Sequence, residues 1–189
     1  VNWETEKKKI CEIPVDTSLL KKLCINYSFK QNNGAILSEF GITNLLPFIK
    51  DYFPDTRIVP ILIPTDISRE EVKKLTETIN RISSERTLLV ASVDFSHYLP
   101  PEAAVFHDVK SGRVLLNFEK EQFENIEVDS WQALYAARLF AKLRKSEKAV
   151  IIAHKNSVDF LPYDWNSTTS YFSVIFQEGE PAENLQTET

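Results

Sequence analysis

Asp94-Phe95-Ser96-His97-Tyr98 places a carboxylate, a hydroxyl, an imidazole and a phenol directly behind the apolar run Thr87-Leu88-Leu89-Val90-Ala91-Ser92-Val93. Imidazole is the side chain that changes charge near neutral pH, and a carboxylate beside it can fix its tautomer and raise its basicity. Asp94 lies three residues before His97, within reach across a short loop. The chemistry this suggests is proton transfer, with His97 as the acid/base group, Asp94 as its partner, and Ser92, Ser96 and Tyr98 lining the pocket. The competing reading is a histidine that only satisfies backbone groups of the loop.

Two further histidines deserve the same weighing. His107-Asp108 falls one or two turns into a helix that follows Pro100-Pro101, and both residues could border the same pocket. Adjacent helix residues point in different directions, so the pair alone is weak evidence. His154 ends an apolar run at 149–153 and leads into Lys155-Asn156-Ser157, which reads either as a pocket rim or as a solvated turn. No HxH, HExxH or clustered Cys/His spacing occurs, so spacing gives no metal site. With only four glycines there is no phosphate-cradling loop.

The elements that must carry these residues alternate between strand and helix. Asp16 caps a short helix through residue 25, with Leu19, Leu20 and Leu23 on its apolar face. Residues 38–53 have helical spacing broken near Pro47, and 57–63 form an apolar run between prolines that reads as a buried strand. Ser68 and Glu71 make a capping box for the next helix, whose inner face is Val72, Leu75, Ile79 and Ile82. A strand at 87–93, a helix from Pro100, a helix over 130–144 and strands at 149–153 and 169–176 complete the series. The pattern predicts an α/β domain over 1–177, a central mostly parallel sheet with helices on both faces, and a disordered acidic tail over 178–189. Strand ends in such sheets are where ligands bind, which is where Asp94 and His97 fall.

Composition narrows the partners. A formal net charge of -5 argues against a nucleic-acid surface. No apolar run approaches the roughly 20 residues of a membrane helix, and the two cysteines, Cys11 and Cys24, suit free thiols in a reducing cytoplasm. The sequence opens on Val1 and holds no methionine, which suggests a chain that lacks an amino-terminal portion.

Several segments, taken in order, resemble the Memo family, called AmmeMemoRadiSam system protein B in bacteria and archaea. Trp3-Glu4-Thr5, Glu39-Phe40-Gly41-Ile42 with Leu46-Pro47-Phe48, residues 57–63, Ser92-Val93-Asp94-Phe95-Ser96-His97-Tyr98 and Ser170-Tyr171 carry the likeness. The resemblance implies a fold similar to the extradiol ring-cleaving dioxygenases, here without the amino-terminal strands. It also implies a non-haem iron or copper chemistry in an intact protein, with His97 as an acid/base group beside the metal and Asp94 orienting it. Family ligand histidines lie upstream of the segment matching Trp3, and a further family histidine is Phe40 here. A ligand cysteine of some members falls near Asp159, where there is no thiol. The expectation is therefore no metal ligand set and no cofactor in this chain. Two functions stay open: a metal-dependent oxidoreductase in intact form, or a non-catalytic protein with a degenerate metal site that binds a small molecule or a protein partner.

Overall fold

The computed structural model describes residues 13–29, 32–117, 120–161 and 165–179. Trp3-Glu4-Thr5, Cys11 and the tail from 180 onward lie outside the described residues. The chain divides into two compact units, one of residues 1–67 and 77–88, the other of residues 68–76 and 89–189.

The first unit is helical. Helix α1, Thr17–Asn26, starts where the Asp16 carboxylate accepts the Leu19 N–H at 2.8 Å, and it buries Leu23. Helix α2 (Asn33–Ser38) ends where the amphipathic stretch 38–53 begins, and that stretch resolves into two short pieces, α3 (Phe40–Thr43) and α4 (Leu46–Tyr52). Glu39 separates the first two, with extended backbone and a carboxylate that accepts the Gly41 N–H at 2.9 Å. Pro47 sits in the first turn of α4, where its missing N–H costs nothing. Helix α5 (Arg69–Ile82) is shared, residues 69–76 falling in the second unit and 77–82 in the first. The capping box begins it as expected: Ser68 Oγ accepts the Glu71 N–H, and Glu71 Oε2 accepts the Ser68 N–H at 3.1 Å. The Ser68 hydroxyl and N–H hold the Glu71 carboxyl below the usual carboxylate range.

The second unit holds the sheet and the candidate site. Its strands are β1 (His97–Leu99), β2 (Lys148–Asn156) and β3 (Thr168–Gln177), in the order β1-β3-β2, with both pairings antiparallel. Helix α6, Pro101–Asn117, packs on the sheet and buries Ala104, Asp108, Ser111, Gly112, Val114 and Leu115. Helix α7, Trp131–Leu143, is capped by Ser130 and is buried on most of its circumference, from Leu134 to Ala141. Within it the Arg138 guanidinium is fully buried over the Phe176 ring at 5.0 Å, and burial lowers it to about 10.

The α/β class is right, but the described residues form no mostly parallel sheet. Residues 57–63 make one parallel bridge, Val15 with Ile58, and Pro60 and Pro64 offer no N–H with which to extend it. Residues 87–93 alternate between half-buried and exposed as a strand would, yet they pair in no ladder among the described residues. Hydropathy sets which side chains face inward; only a neighbour supplies the hydrogen bonds. The two later strands, by contrast, find each other and form the longest ladder among the described residues. No described helix is long and apolar enough to cross a membrane.

Candidate functional site

Residues 94–97 enter the sheet through three backbone ties. Phe95 N–H donates to the Ser170 carbonyl and Ser170 N–H to the Ser96 carbonyl, each at 3.0 Å. Asp129 N–H donates to the Asp94 carbonyl at 2.9 Å, beside a bridge between Phe95 and Val128. The Phe95 ring is buried against Phe172, 4.7 Å between centroids, which anchors the segment from below.

These ties converge three side chains. His97 Nε2 lies 3.4 Å from Asp94 Oδ2, and Asp129 Oδ1 accepts the Asp94 N–H at 3.2 Å. One nitrogen or oxygen of each of Asp94, His97 and Asp129 lies within 4.8 Å of the others. On its other side His97 Nδ1 meets the Thr169 hydroxyl at 3.3 Å, as their pairing across β1 and β3 requires. Asn156 fixes the start of β3 from below, donating to the hydroxyls of Thr168 and Ser170 at 3.0 and 3.3 Å. Partial burial, together with the Asp94 charge, holds the Asp129 carboxyl above its usual range, against the pull of the Asp94 N–H and His97. Next along, Tyr98 has a positive φ of 54° and an exposed ring. A bulky residue in that region costs on the order of 1 kcal/mol, a strain that clusters at functional sites.

The remaining residues singled out from the sequence go to different places. Ser92 is exposed, ahead of the cluster. Ser96 and Asp108 lie inside the protein: Ser96 Oγ donates to Asp108 Oδ1 at 2.7 Å. The other oxygen of Asp108 meets His154 Nε2 at 2.7 Å, and the His154 ring stacks on Phe172 at 4.2 Å. His107, next to Asp108 on α6, turns away into an open groove with Phe106, Lys110 and Arg113. Adjacent positions on a helix do point apart, and here the pair is split between surface and core.

Sequence reasoning missed Asp129 and the place of His154. Asp129 sits in an Asp-Ser-Trp run that reads simply as a helix cap, and its approach to Asp94 depends on a bridge between segments 33 residues apart. His154 is brought to Asp108 only by packing of α6 on β2. In each case a contact distant in the chain makes the site, and local spacing carries no signal of it.

The cluster offers an imidazole nitrogen and two carboxylate groups to one small volume. That donor set, nitrogen and oxygen together, suits a divalent first-row metal such as iron(II), zinc or manganese. The position where the family resemblance places a histidine is Phe40, whose exposed ring cannot ligate. The Memo-like family model matches residues 3–174. The chain belongs to the Memo-like family. It is similar to MEMO1 family proteins of Caldivirga maquilingensis and Pyrobaculum arsenaticum, at 27% and 28% identity over 92% of this chain. A MEMO1 family protein of Aquifex aeolicus is 26% identical over the same share. This Memo-like chain spans about 64% of the length of the first two relatives and 66% of the third. No solved structure matches it. Within the family match falls the whole cluster, Asp94, His97 and Asp129.

Proposed function

We propose that this Memo-like protein is metal-dependent and that Asp94, His97 and Asp129 hold the metal. The carrying observation is the convergence of their ligand atoms within 4.8 Å. Two facing carboxylates leave a local charge that a divalent cation neutralises, and the imidazole adds a nitrogen donor. The cation would supply Lewis acidity or redox chemistry to a small molecule bound beside it. The chain's own residues pre-set the ligands: the Asp94 N–H fixes the Asp129 carboxylate, the Asp129 N–H holds the Asp94 backbone beside it, and Thr169 fixes the ring. In this reading the protein binds through a rebuilt metal site, with Phe40 marking where the family pattern has been lost.

A second reading is favoured by the 3.4 Å contact of His97 with Asp94. There the longer protein is a non-haem-metal-dependent oxidoreductase, the metal is held by other residues, and His97 is the acid/base group oriented by Asp94. A dioxygenase-like parallel sheet and a cytoplasmic setting go with that reading and rest on the family resemblance.

Calorimetric titration with zinc and manganese(II) separates the two. Losing a mere hydrogen-bond partner of a ligand costs about 10- to 100-fold in affinity, so His97→Gln and Asp129→Asn should each weaken binding by about 100-fold. Unchanged affinity in His97→Gln would reject the ligand role and leave the proton carrier.

A further inference from the structure

Asp108 is a buried carboxylate that takes no part in the cluster around His97, yet it holds the residue next to it. Its side chain is 2% exposed, and both its oxygens are engaged. Ser96 Oγ donates to one at 2.7 Å and His154 Nε2 meets the other at 2.7 Å. An ionised carboxylate only accepts, so the second contact places a proton on Nε2. His154 in turn lies flat on Phe172, its register partner across β2 and β3, with the rings 16° from parallel. The chain of contacts therefore runs from β2 through α6 to Ser96, at the entrance of β1. Ser96 faces α6, toward the Ala104 carbonyl and Asp108, while His97 faces Asp94 and Thr169.

We infer that Asp108 and His154 are positioning residues for His97, acting through Ser96: they clamp the chain from its inner face so that the imidazole is presented in one orientation. The inference rests on His97 being the functional side chain of the cluster, as ligand or as proton carrier. It adds residues that lie outside the cluster and touch neither the cation nor a substrate. A buried hydrogen-bonded carboxylate suits this task, because each partner is held by a short charge-assisted bond. Rings set by such outer partners keep one tautomer and one direction.

The test reads the His97 ring itself, in the full chain stripped of metal with a chelator. Histidine ring nitrogen shifts give the tautomer ratio, and a nuclear Overhauser contact to the Thr169 methyl gives the ring direction. His154→Phe keeps the stacking on Phe172 but removes the donor, and Ser96→Ala cuts the link at its other end. Each should change the His97 tautomer ratio by about fivefold, the worth of one ordinary hydrogen bond, and weaken the contact to Thr169. His154→Gln, whose amide can donate to Asp108, should restore both. His107→Gln, on the outer face of α6, should change neither.

A merely structural brace gives the opposite pattern. If the ratio and the contact stay as in the parent protein while thermal stability falls, the positioning role is wrong. Should His154→Phe fail to fold, Ser96→Ala decides alone, since it leaves the Asp108–His154 pair intact. Cation binding is not the readout. A protein that binds no cation yet shows the tautomer change refutes the metal assignment and leaves this one standing.

Discussion

Replacing His154 by phenylalanine strands a buried charge, and the cost can be worked from the structure. Asp108 loses the partner of one oxygen, while Ser96 continues to bond the other at 2.7 Å. Taking away the partner of a buried charge costs about 3–5 kcal/mol. The His154 side chain is 35% exposed, so water can reach the stranded oxygen, and the new ring keeps the stacking on Phe172. The lower end of that range, about 3 kcal/mol, is expected. At about 2–4 °C per kcal/mol for a chain of this size, Tm should fall by about 6–12 °C. The informative comparison is the double variant Asp108→Asn/His154→Phe. An amide still accepts from Ser96 and has no charge to strand, so the double variant should lose only about 1.5 kcal/mol. It should therefore be more stable than His154→Phe, a negative coupling that differential scanning calorimetry or urea titration reads directly. Asp108→Asn alone should cost about 1 kcal/mol. If the two losses simply add, the buried charge is not what His154 compensates, and the reasoning fails.

Two further outcomes follow from neighbouring features. A Cβ added at Gly112, in the middle of α6, would meet Ile151 Cδ1 and Phe172 Cε1 at 3.8 Å, which is ordinary contact. Gly112→Ala should therefore stabilise by about 0.5–1 kcal/mol through helix propensity; a thermal melt that falls instead would show the site tighter than described. Asp129 has its carboxyl raised, so the folded state binds this proton more tightly than the unfolded chain. Its contribution is then present below the unfolded value and is lost as pH rises through the folded one. Asp129→Asn should raise Tm by about 1–2 °C at pH 7, a small effect because Asp129 is exposed and water screens its charge. Near pH 4 the two melts should converge, and a gain that grew on acidification would contradict the sign.

What the sequence makes legible is local. Asp16 and Ser68 each announce a helix start, and each side chain does accept the expected N–H. The strands at 149–153 and 169–176 appear within two longer strands, because their apolar runs also find a ladder. Residues 57–63 and 87–93 look as apolar, yet one is interrupted by prolines and the other pairs with no strand among the described residues. Alternation alone led to the parallel sheet. The Asp94 and His97 pair was visible from a spacing of three, and the 3.4 Å contact is there. Asp129 and His154 were not, because each is brought in by pairing or packing across more than thirty residues. Ser96 and Asp108 were picked as pocket residues from their place near His97; the structure puts both in the core, bonded to each other.

Manganese(II) bound to the protein would broaden the resonances of whatever surrounds it, so nuclear magnetic resonance with substoichiometric manganese tests the central claim most directly. The account predicts that Asp94, His97, Asp129 and Thr169 broaden first, and that His107 on its separate groove broadens only at higher metal. Broadening that begins elsewhere, or spreads evenly over the exposed carboxylates, would show that the cluster around His97 is not a metal centre.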